Sequence, residues 1–218
     1  QIYGGMGFSA DTPMESAWRD SRIGRIYEGT NEINRMLSVG MLVKKSMKGE
    51  LDLMDAVMKV ASEMTSGKTD DKINPDQPLS EELQKVKNLK KVFLMIAGTA
   101  FQKYGQELKK NQQTLMGLSD MMIEIYFAES AILRTVKNKN KGMDMEHQID
   151  MTRLYVFDAV EITLKRSKEI IGNIASGSAQ LNLIKSVHRM CRFNVLPDLI
   201  NLKVRVANKV IEENSYCF

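Results

Sequence analysis

Apolar side chains recur along most of this chain at spacings of three and four, the period of a helix that buries one face. The clearest stripe is Leu83, Val86, Leu89, Phe93, Ile96, Ala100, Phe101, Tyr104 and Leu108. Ser80, Glu81 and Glu82 open that helix, with acidic groups at its positive end. Further long helices are predicted over about Leu115–Val136 and Glu146–Ala175, the latter ended by Ser176-Gly177-Ser178. Two more follow, about Ala179–Phe193 and Asp198–Asn214, parted by Pro197. Leu51–Met64 is another amphipathic helix. Residues 65–78, TSGKTDDKINPDQP, hold two of the four prolines and almost no apolar residue, and read as the one clear linker.

Nearer the start, Thr12, Pro13 and Glu15 read as N-cap, N1 and N3 of a helix closed by a capping box. That helix is expected to reach about Ile26. After the connector Tyr27-Glu28-Gly29, Thr30 or Asn31 caps the next helix, with Ile33, Met36, Leu37 and Met41 on its apolar face. Lys44, Lys45 and Lys48, with Gly49 beyond, form its stop signal. No run alternates with period two for long enough to make a strand, and no repeat of 30–50 residues is visible. The chain is therefore expected to be all-α, long helices packing as an antiparallel bundle. It divides into residues 1–49, a helix and linker over 50–78, and a helical bundle over 79–218.

Composition sharpens this picture in a few places. With 43% hydrophobic and 27% charged residues and a net charge of +4 in 218 residues, intrinsic disorder is excluded. Sixteen methionines suit irregular helical cores. The longest apolar stretch, Val92–Phe101, is about half of the ~18 residues a membrane span needs, so a buried helix segment is expected there. Met121, Met122, Ile125 and Leu133 share helical spacing and are assigned to core rather than to a membrane face. Residues 81–142 carry eleven basic and six acidic side chains, so the basic excess sits in the middle of the chain. Lys109, Lys110, Lys137, Lys139 and Lys141 fall near predicted helix ends, where cations suit the dipole. Cys191 and Cys217 cannot build a disulfide framework, which points to a reducing compartment. The opening Gln1-Ile2-Tyr3-Gly4-Gly5 reads as the interior of a folded domain, so a piece of a longer protein is expected.

Little chemistry follows from general templates. His147 and His188 are the only histidines, neither has Glu three residues before it, and no metal site is expected. The modest charge and the separation of aromatic from basic residues argue against nucleic acid. Arg19-Asp20 reads as a structural ion pair. Glu28 stands apart: it lies between two helices and precedes Gly29, which permits a tight turn and close approach of another molecule.

The residues around it share one register. Gln1-Ile2-Tyr3-Gly4-Gly5-Met6-Gly7-Phe8, then Arg19-Asp20, then Tyr27-Glu28-Gly29-Thr30-Asn31 resemble the C-terminal segment of the acyl-CoA dehydrogenases. The family pattern is QxxGGxG(F/Y), an Arg-Asp pair in the next helix, and (Y/F)EGT(N/S) opening the one after. The match covers about residues 1–47. The helices beyond it, including Ala100–Tyr104 and Leu118–Arg134, resemble at pattern level the added C-terminal domain of the very-long-chain branch.

The resemblance implies an FAD-dependent dehydrogenation of a fatty acyl-CoA to a trans-2-enoyl-CoA. It makes Glu28 the base that removes the α-proton and places the Gly29 backbone beside the thioester. It makes Gln1, Ile2, Tyr3, Gly4 and Gly5 one FAD-contacting stretch, typically for a neighbouring subunit's cofactor, and Thr30, Asn31 and Glu32 another. It further implies a homodimer, electron-transfer flavoprotein as electron acceptor, and peripheral membrane contact as an option for the added domain. A cytoplasmic protein is expected, at the inner membrane face if membrane-associated, or mitochondrial in a eukaryote. Without the family's N-terminal helical and middle β-domains, this chain alone is expected neither to hold FAD nor to turn over. The competing reading is a non-enzymatic helical oligomerisation or interaction domain.

Overall fold

The structure, a computed structural model, describes residues 1–66, 77–215, 217 and 218. Its helices are α1 (Pro13–Ile23), α2 (Asn31–Met47), α3 (Leu53–Ser66), α4 (Ser80–Tyr104), α5 (Gln112–Asn140), α6 (Glu146–Ile174), α7 (Gly177–Cys191) and α8 (Leu199–Glu213). Short 3₁₀ turns occupy Gly4–Gly7 and Gly105–Lys110. No strand occurs among the described residues, as the missing two-residue period requires. Most of the linker expected over 65–78 lies outside the described residues.

Three long helices form the centre. α5 lies along α6, and α4 packs on both. α7 covers α4 and α6, α8 covers α6, α3 lies on α4, and α2 lies on α5. The stripe read from α4 turns inward: Val86, Leu89, Phe93, Ile96 and Ala100 are buried, as is Leu108 in the following turn. They meet Leu118, Met121, Ile125 and Ile132 of α5 and Val156, Val160 and Ile171 of α6 in one cluster that extends to Val39 of α2 and Cys191 of α7. Each fully buried Val, Leu, Ile, Phe or Met among them contributes about 1.5–3 kcal/mol of transfer free energy. Val92–Phe101 is a buried helix segment, as its length suggested. Gly98 allows α3 to approach closely, since a Cβ there would stand 2.6 Å from Val57 Cγ1.

α2 ends in a Schellman arrangement: Gly49, at φ +72°, donates to Ser46 O at 3.0 Å, and Glu50 donates to Lys45 O at 3.0 Å. α5 runs past the expected end at Val136 to Asn140, so Lys137 and Lys139, expected in the loop after it, occupy its last turn. The capping box at α1 is absent. The Thr12 hydroxyl donates to the Met6 carbonyl at 2.6 Å, so it ties α1 to the turn before it rather than accepting from α1's own N–H groups. α1 stops at Ile23, not Ile26, because Ile26 N closes a tighter turn on Ile23 O at 2.9 Å. α4 starts at Ser80 as its first helical residue, preceded by buried Leu79 at φ +59°. Leu133 is exposed, while Met121 and Ile125 are buried and Met122 is half-buried against the core. The buried stripe of α5 continues through Ala128, Ile132 and Thr135, and Leu133, about 100° round the helix from Ile132, lies off it.

Candidate functional site at the α1–α2 junction

The connector between α1 and α2 is built from two consecutive residues in the left-handed region. Glu28 has φ +56° and Gly29 φ +88°. Gly29 adopts this without cost; for Glu28 it costs of order 1 kcal/mol, so its surroundings must hold it. Local hydrogen bonds do so. Asn34 Nδ2 donates to Gly29 O at 2.9 Å, and Asn31 N donates to Arg25 O at 3.2 Å, closing the loop from both sides. A Cβ on Gly29 would stand 2.9 Å from Asn34 Oδ1. Sequence reading singled out Gly29 and missed both Asn34 and the left-handed Glu28. The signal for Asn34 was a polar residue one turn into α2, able to reach back.

Thr30 is the N-cap of α2: its Oγ1 accepts from Ile33 N at 3.3 Å. Glu32 lies in the first turn, and its carboxyl is held below the ordinary carboxylate range by its backbone N–H, by the Thr30 hydroxyl and by the fields of Arg35 and Arg25. The first turn of α2 therefore spends two of its N–H groups, those of Glu32 and Ile33, on its own side chains. Glu28 itself is exposed. It lines neither the cavity of about 520 Å³ between the start of α4 and the α7–α8 loop nor the apolar one of about 240 Å³ between α2, α3 and α4.

Gln1–Gly5 sit at the far end of α1, an eleven-residue helix about 16 Å long. Thr30–Glu32 lie beyond its other end, at the start of α2. Gly4, at φ +55°, and Gly5 have no atom within 4 Å of the positions a Cβ would take, so that backbone lies open. Large apolar side chains flank it: Ile2 is 100% exposed, Phe8 88% and Trp18 74%. Arg19 pairs with Glu15 one turn earlier, not with Asp20, because (i, i+4) residues share a helix face and neighbours do not. Among the described residues no group of histidine, cysteine and carboxylate side chains is arranged to hold a metal ion. Cys191 is buried, and burial pushes its thiol up to about 12, which leaves it a core residue rather than a nucleophile.

Two family models, each described as "Acyl-CoA dehydrogenase, C-terminal domain", match residues 1–41 and 88–189. These residues belong to the acyl-CoA dehydrogenase C-terminal-domain family. A probable acyl-CoA dehydrogenase of Bacillus subtilis is 33% identical over 99% of this chain and 36% of its own length. A crystal structure of an acyl-CoA dehydrogenase from Bacillus anthracis, complexed with FAD, superposes over 100% of this chain and 37% of that one, with a TM-score of 0.95 and 34% identity. The short-chain-specific mitochondrial acyl-CoA dehydrogenase of Homo sapiens is 50% identical, but over 44 residues, 20% of this chain. The chain thus spans about a third of the length of the relatives that match it throughout. Among the described residues of this acyl-CoA dehydrogenase C-terminal domain, the Glu28 turn is the one place where a carboxylate stands on a left-handed backbone.

Proposed function

We propose that the protein containing this chain is an FAD-dependent acyl-CoA dehydrogenase that converts a fatty acyl-CoA to its trans-2-enoyl-CoA, with Glu28 as the base for the α-proton. The carrying observation is the Glu28 turn. A carboxylate is presented on a left-handed backbone, locked by Asn34, at the mouth of α2 and in register with the family motif. An α-C–H is a weak acid, so its base must be held within hydrogen-bond reach of the proton, and a rigid turn reduces the loss of freedom on alignment.

The residues present fit an edge of the cofactor. Open backbone at Gly4 and Gly5 admits close approach of an external group. The ionised Glu32 is an acceptor, suited to cofactor hydroxyls rather than to phosphates, and Thr30 and Asn31 add short polar groups beside it. FAD, when bound, supplies the two-electron acceptor for the hydrogen leaving the β-carbon. Glu28 takes the α-proton on its carboxylate oxygen, and the Gly29 backbone lies beside the thioester carbonyl. Following the family register, Gln1–Gly5 are assigned to the flavin of a neighbouring subunit, hence a homodimer. Exposed Ile2, Phe8 and Trp18 supply apolar surface for such an assembly.

The residues beyond the first 49 we assign to the added domain of the very-long-chain branch, in support of the dimer. Match lengths favour this: the short-chain enzyme aligns over 44 residues, the Bacillus subtilis protein over 223. Electron-transfer flavoprotein is the proposed acceptor, in a cytoplasmic or, in a eukaryote, mitochondrial setting. The deciding experiment is Glu28→Gln in the full-length protein, assayed for dye reduction with a fatty acyl-CoA. Turnover should fall about 10³-fold with flavin retained; near-normal turnover would refute the assignment.

A further inference from the structure

We propose that Asp120 of the bundle, acting through Arg35, is a positioning residue for the Glu28 turn; this rests on the function proposed above. α2 meets the bundle at a few points. Val39 is its buried residue. Ser38 Oγ donates to Arg35 O at 2.7 Å, which commits its one proton, so the 2.9 Å contact with Ser119 has the Ser119 hydroxyl as donor. One turn before Val39, Arg35 Nε donates to Asp120 Oδ1 at 3.0 Å. The other oxygen of the same carboxylate, Oδ2, accepts from Arg166 of α6 at 2.9 Å. Asp120 is 13% exposed, and Arg166 is braced again by Glu169 at 2.8 Å. One carboxylate on α5 therefore clamps a guanidinium from α2 to one from α6.

Upstream of Arg35 the tether ends. Among the described residues, Glu28 to Asn34 make hydrogen bonds only within their own loop and helix start, and no ion pair to the bundle. Arg35 is the last tie before the turn. The start of α2 is about 12 Å from Val39, so a tilt of about 5° at Val39 moves it by about 1 Å. Displacement on that scale at a reacting centre can cost ~10²-fold in rate. With the Asp120 charge removed, two guanidinia face each other, and the nearest anion left to Arg35 on its own helix is Glu32, whose carboxyl already feels its field.

The test uses the full-length flavoprotein with Asp120→Asn, Arg35→Gln and the double variant. Each single change is expected to lower kcat by roughly 10-fold, with KM for a fatty acyl-CoA and flavin content within about twofold of the parent. The double variant should be no slower than Arg35→Gln alone, since Asp120 acts through Arg35. Hydrogen exchange should speed up over residues 31–38 and stay unchanged over 80–104. Unchanged kcat in both single variants, beside an inactive Glu28→Gln, overturns the inference and leaves the function intact; so do losses that multiply in the double. If Asp120→Asn loses its flavin or its fold, Arg35→Gln decides, because it leaves the Asp120–Arg166 pair in place. If Glu28→Gln is fully active, the function falls instead, and hydrogen exchange over 31–38 still decides the tether.

Discussion

The first thirty residues and the central helices obey opposite rules. α1 buries no residue, and the turn before it buries none, although Ile2, Phe8 and Trp18 are large and apolar. α4, α5 and α6 bury a continuous face each. The motif residues that carry the proposed chemistry lie in the first region, where little packing within this chain holds them. The bundle holds the stability and, through α2, supports the turn from one side. Site and scaffold are thus distinct parts of the molecule, joined by Met36, Val39 and Leu42 packing on the core and by Ser38–Ser119 and Arg35–Asp120.

Three changes test that division. Leu89 is fully buried between α4 and its neighbours, so Leu89→Ala should lower the unfolding free energy of the chain by about 2–5 kcal/mol in urea melts. A loss below 1 kcal/mol would mean that the bundle is not the seat of stability. Thr30→Ala removes the α2 cap and should cost about 1 kcal/mol, read as faster hydrogen exchange of Ile33 and its neighbours rather than as a shift of the main transition. Trp18→Ala, at a side chain 74% exposed, should move the melting of the chain by less than about 0.5 kcal/mol, yet weaken self-association of the full-length protein measured by sedimentation. A large stability loss in the chain itself would show that the arm packs on the bundle after all.

The helices were legible because their apolar period is local. The α4 stripe, the Schellman stop at Gly49 and the Thr30 cap each need a handful of consecutive residues, and each forms as read. Failures fall where a side chain had a choice of partner. Thr12 turned back to Met6, and Arg19 chose Glu15 over Asp20, because geometry one turn away outweighs adjacency in sequence. At the site, the order of the motifs marked Glu28, Gly29 and Thr30, but not the left-handed backbone at Glu28, the Asn34 latch or the Arg35–Asp120–Arg166 clamp.

By itself the sequence determined the helical class, the approximate helix bounds, the inward face of α4 and the family register of the opening 47 residues, but not the inward face of α2, where Ile33, Leu37 and Met41 are exposed and Val39 is buried. These depend on period and on neighbours within a turn. Only the tertiary structure decided which helix lies on which, and that Asp120 on α5 meets Arg35 on α2 across 85 positions. Contacts between distant positions leave no periodic trace in the chain. They follow from how rigid helices settle against one another once their apolar faces are buried.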